Sequence, residues 1–169
     1  MTTIEQAFFE CVLADLSYVG TLSGGMSEAQ FSAEAEKRIT APLAQEIAAR
    51  FEVLAVKSES ASDYQGVVFR DKITKELYVA NRGTESLIDI LDADLDLALG
   101  SGVAAKQAAS MVNWWEQISH SGTTPVTQIG VAGPVFVSAS SVQPTGEIAQ
   151  ALAEAGGKVR VVGHSLGGH

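Results

Sequence analysis

The densest chemical signal in the chain is the run Gly163-His164-Ser165-Leu166-Gly167-Gly168-His169. Directly before it stands Lys158-Val159-Arg160-Val161-Val162, which reads as a short buried strand. A serine flanked by Gly163 and Gly167 at the end of a strand is the pattern of a nucleophile elbow. The tight turn lifts the serine Oγ above a sheet, and the glycines remove Cβ atoms that would collide where strand and following helix nearly touch. The helix N-terminus predicted after the turn has free N–H groups able to stabilise an oxyanion. The corresponding chemistry is acyl transfer: Ser165 attacks an ester carbonyl, and the Leu166 backbone N–H donates to the developing oxyanion. A glycine-rich strand-to-helix turn without chemistry, or a phosphate cradle, also fits the bare pattern. The Gly-x-Gly-x-x-Gly spacing of a dinucleotide site is absent.

This heptapeptide resembles the elbow of class 3 lipases and related bacterial phospholipases, which are α/β-hydrolases. The segment Leu77-Tyr78-Val79-Ala80-Asn81-Arg82-Gly83-Thr84 is similar to that family's strand ending in Arg-Gly-Ser or Arg-Gly-Thr, with Asn81 where the family usually has Phe. Asp89 and Asp94-Leu95 resemble its Asp-Trp…Asp-Leu stretch, with Ile90 in place of the Trp. The resemblance covers most of residues 64–169 and matches the N-terminal helices only loosely. It implies hydrolysis of lipid or carboxylic esters, with Ser165 as nucleophile and the backbone N–H groups of Leu166 and Thr84 forming the oxyanion hole. The Gly-Gly-His ending leans toward a phospholipase. No metal or other cofactor is implied, and the partners are a lipid or ester substrate and, transiently, a lipid interface. The family's triad runs Ser, then Asp or Glu, then His along the chain. Only four residues follow Ser165, so residues 1–169 read as the N-terminal part of one lipase-like domain, inactive without a C-terminal segment that supplies the acid and the base. The alternative is a hydrolase-fold interaction module that never completes a triad.

The remaining titratable residues offer no convincing base. His164 is the variable residue of the motif, on a turn that points it away from the serine. His120 stands at the end of a predicted helix, and His169 is too close in sequence to Ser165 to fold back onto its Oγ. The run Asp89-Ile90-Leu91-Asp92-Ala93-Asp94-Leu95-Asp96 invites a calcium reading. A loop starting at Asp92 would place Leu97 where an EF-hand requires glycine and Val103 where it requires glutamate, which excludes that site. The run reads equally as a lid, by resemblance, or as a solvated face with its leucines in the core. Cys11, the single cysteine, reads as part of a buried helix face.

These residues need a frame. Apolar side chains at helical spacing (Ile4, Phe8, Val12, Leu16) predict a helix over 3–19. Ser27 and Glu28 open a second helical stretch to about Arg50, split or kinked by Pro42. Strands are predicted at 51–57, 64–70 and 76–81, a helix at 103–118, a Val/Ile-rich but interrupted segment at 126–137, and a helix at 144–155 stopped by Gly156-Gly157. Helix, glycine turn and last strand form the second half of a βαβ unit. The expected architecture is therefore α/β, antiparallel at one edge and parallel toward the C-terminus; the resemblance implies a hydrolase-like, mostly parallel sheet flanked by helices and cut off after the nucleophile strand. The chain has 169 residues, 46% of them hydrophobic and 18% charged, enough for a real core. Its net charge of −9 argues against nucleic acid and anionic membrane surfaces. No spanning segment or cleavable signal peptide is legible, so a protein in aqueous solution is expected.

Overall fold

The computed structural model describes residues 3–82, 103–132 and 135–163. They form two compact units: 3–58, 65–82 and 150–163 in the first, and 59–64, 103–132 and 135–149 in the second.

The first unit begins with α1 (Ile4–Leu16), capped by the Thr3 hydroxyl, which accepts from the Gln6 amide at 3.1 Å. α2 (Glu28–Ala35) starts in a full capping box. The Ser27 hydroxyl accepts from the Gln30 amide, and the Gln30 side chain accepts from the Ser27 amide. α3 (Ala41–Arg50) has Pro42 in its first turn, where a missing N–H costs nothing, so the predicted split falls where expected. The strands β1 (Phe51–Glu59), β2 (Tyr64–Asp71), β3 (Leu77–Arg82) and β6 (Val159–Gly163) form one sheet in the order β1-β2-β3-β6. β2 and β3 are an antiparallel hairpin, with Val68 opposite Val79, whereas β3 and β6 run parallel, with Val79 opposite Val161. The expected mixed α/β sheet with an antiparallel part is present, but it is mostly antiparallel rather than mostly parallel. Only the β3–β6 pair is joined by a long crossover; the short connection 72–76 forces the opposite direction on β2 and β3.

The core of this unit lies between the helices and one face of the sheet. Phe51 meets Phe9 edge-on at 5.4 Å and Tyr78 at 5.6 Å, while Phe31 stacks on Phe69 at 5.8 Å. Two sequence expectations fail here. Cys11 is exposed rather than buried, and so are Ile4 (91%) and Phe8 (46%). The helix carries apolar residues on two faces, and it is the Phe9-Leu13-Leu16 stripe that packs on the sheet. The last strand is not buried either. β6 ends the strand order, and Val161 is 64% exposed.

In the second unit, α4 (Val103–Ser119) packs against a hairpin of β4 (Val126–Ala132) and β5 (Val135–Val142). The interrupted segment at 126–137 is thus two strands. Asn113 binds β4 with both ends of its amide: its oxygen accepts from Ile129 N–H at 2.7 Å, and its nitrogen donates to the Ile129 carbonyl at 2.8 Å. Residues 59–64 join the unit through Tyr64, edge-on to Trp114 at 6.1 Å, and through Ser62 and Ser110, which both donate to the Glu59 carboxylate. The helix expected at 144–155 is only α5 (Ala149–Glu154), which from Gln150 onward belongs to the first unit. Gly146, at φ +64°, interrupts it, with Thr145 N–H bound to the Gln117 carbonyl at 2.8 Å. Gly156 and Gly157, both at positive φ, end α5 as expected.

Candidate functional site

The two motif-bearing segments belong to neighbouring strands. β3 and β6 are parallel, and Asn81 stands opposite Gly163. Parallel strands finish at the same end of a sheet, so the chain leaves Arg82 and Gly163 from one edge of the first unit. The carboxyl ends of parallel strands are where α/β sheets present ligand-binding loops, because the backbone there turns away from the ladder and frees its polar groups. Neither segment predicts the other from sequence: 82 residues separate Asn81 from Gly163.

This strand pair is held by packing and by charge. β3 is buried along Leu77–Asn81. Tyr78 lies in the core, and its hydroxyl donates to the Glu76 carboxylate at 3.3 Å. Burial, reinforced by that carboxylate, raises the Tyr78 pKa, so the phenol stays protonated. On β6, opposite Tyr78, Arg160 reaches Glu10 of α1 and Glu76, each at 3.4 Å. Glu76 raises the Arg160 pKa further, which fixes a permanent cation at the base of the strand. Sequence reasoning missed Arg160, because its partners lie 150 and 84 residues away and only the strand register brings them together.

At the far end of β2, the buried Asp71 holds the β2–β3 connection. Its carboxylate accepts from the Ile73 amide at 2.7 Å, the Thr74 amide at 3.1 Å and Arg50 Nε at 3.0 Å. Burial alone would raise its pKa; the two amides and the guanidinium outweigh it and hold the carboxyl below its ordinary value. This hairpin sets the register of β3, and therefore where Arg82 ends.

Of the sequence-predicted site residues, Gly163 is the one described, as the last residue of β6. Ser165, Leu166, Gly167 and Thr84 lie outside the described residues, as do His164, His169 and the run Asp89–Asp96. His120 is described and belongs to the second unit. It follows α4, with its Nδ1 3.0 Å from the Glu116 carbonyl oxygen and 3.5 Å from the Glu116 carboxylate, and its side chain is half-exposed. Among the described residues, no cluster of three His, Cys, Asp or Glu side chains could hold a metal ion, and no helix is long and apolar enough to cross a membrane. No family model matches the chain, and neither a curated protein nor a solved structure matches it.

Proposed function

We propose that the protein is a serine hydrolase of lipid or carboxylic esters, built on an α/β-hydrolase-like site at the common end of β3 and β6. The observation that supports this reading is the register that pairs Asn81 with Gly163. Adjacent strands are about 4.8 Å apart. Thr84 is three residues beyond Asn81 and Ser165 two beyond Gly163. At about 3.8 Å per residue, chain reach allows the two backbones to approach within the about 10 Å that an oxyanion hole needs.

In this reading Ser165 is the nucleophile. Its Oγ attacks the ester carbonyl, the alcohol leaves, and water releases the acid from the acyl-enzyme. The Leu166 and Thr84 backbone N–H groups bind the oxyanion. The base and the acid follow the serine in the resembled family, and His120 is not assigned either role. The test is hydrolysis of a short-chain nitrophenyl ester by the purified protein. Ser165→Ala is expected to lower turnover by several orders of magnitude. Retention of more than about a tenth of the activity, far above what loss of a triad member leaves, would end the reading.

A further inference from the structure

One stretch of the chain is electrically blank. Residues 117–146 contain no Asp, Glu, Lys or Arg, in a chain that carries 31 of them and a net charge of −9. This stretch holds the β4–β5 hairpin, and its described end is apolar and open: Val135 is 56% exposed, Phe136 53% and Val137 43%. The exposed residues that follow, Ser138, Ala139, Ser140 and Ser141, are small and mostly hydroxylated. The hairpin therefore grades from bulky apolar side chains at its end to a neutral polar collar.

We propose that the end of this hairpin is a docking element for an electrically neutral lipid surface, such as a zwitterionic phospholipid layer. Three features select that occupant. Val135, Phe136 and Val137 are consecutive on a strand, so they project from both faces in turn. A flat protein partner covers one face, whereas a fluid apolar phase surrounds both. Pairing with a further strand is opposed by β5 itself. Thr127 faces Ser141 while Ile129 faces Ser138, so β5 carries one residue more than β4 there, and this bulge limits the regular edge at the apolar end to Val135–Ser138, a short run for a partner strand. Asn113 occupies Ile129 on the outer side of β4. Charge decides the kind of lipid: the chain's negative charge repels an anionic surface, while the uncharged stretch carries no ion that insertion would strip of water.

The inference requires a lipid surface but not the serine chemistry, so the two are tested apart. Flotation with phosphatidylcholine vesicles would be measured for the unaltered protein, for Ser165→Ala, and for Val135→Ser/Phe136→Ser/Val137→Ser, with thermal melts confirming that these exposed changes leave the fold intact. The unaltered protein and Ser165→Ala are expected to float equally, independently of salt. The triple variant is expected to bind about tenfold less or weaker still, from the apolar area lost. Absence of flotation, or equal flotation of the triple variant, would overturn the proposal. Binding that appears only with anionic lipid and is lost in salt would also overturn it, as would a dimer in solution that the triple variant disperses.

Discussion

Removing the Asp71 carboxylate is expected to loosen the hairpin that sets the β3 register. In Asp71→Ala, Arg50 keeps its second partner, Glu5 at 2.6 Å, but loses Asp71 at 3.0 Å in a site where the carboxylate is fully buried. The Ile73 and Thr74 amides lose their acceptor too. Ile73 is exposed, so water can replace that bond cheaply. A charge-assisted hydrogen bond is worth roughly 1.5–3 kcal/mol, and breaking a buried pair costs roughly 3–5 kcal/mol. With Arg50 partly solvated and still paired, the loss is expected at about 2–4 kcal/mol, near the lower part of the combined range. At ~2–4 °C per kcal/mol for a chain of this size, the melting temperature should fall by about 5–15 °C. Asp71→Asn keeps an acceptor oxygen but not the charge, and should lose about half as much. The acid dependence separates charge from shape. A carboxyl held below its ordinary value of 3.8 contributes fully above that pH, and the contribution is lost as pH falls through the lower folded value. The gap between Asp71→Asn and the unaltered protein should therefore be constant above about pH 5 and close below the ordinary value. Urea unfolding followed by circular dichroism, repeated from pH 7 to pH 2, measures both. A difference under about 0.5 kcal/mol at pH 7, the level of an ordinary surface change, or one undiminished at pH 2, would refute the reasoning.

Other expectations follow from the same geometry. Thr84→Pro removes a backbone N–H and should cost about 10²–10³-fold in ester turnover, while Thr84→Ala keeps that donor and should cost far less; equal losses in steady-state assays would assign the role to the hydroxyl. His120→Ala should leave turnover unchanged, and its loss would place the base in the second unit. Leu13→Ala, in the α1 stripe that packs on the sheet, should destabilise by roughly 2–5 kcal/mol, whereas Ile4→Ala should fall within about 0.5 kcal/mol in the same urea titration.

The parts of the fold legible in sequence are those with local causes. Ser27 and Gln30 mark a helix start, Pro42 a first turn, and Gly156-Gly157 a helix end, because each acts on backbone groups a few residues away. Which face of α1 is buried was not legible: Ile4-Phe8-Cys11 and Phe9-Leu13-Leu16 are both apolar, and only the distant sheet chooses between them. The expected parallel majority failed for a similar reason. Strand direction is decided by what connects and neighbours each strand, and the mostly parallel sheet was carried over from the resemblance rather than read from local residues. At the candidate site the two strands that lead into the motifs were legible. The pairing of Asn81 with Gly163 and the anchoring of β6 by Arg160 depend on register across the chain, which no local pattern encodes.

The central claim is that Ser165 is an activated nucleophile, and labelling with a fluorophosphonate probe tests it most directly, because an ordinary serine hydroxyl does not react. The protein should be labelled once, at the peptide containing Ser165, and Ser165→Ala should abolish the label. A protein that stays unlabelled, or one labelled at any residue other than Ser165, would contradict the account and favour an interaction module over an enzyme.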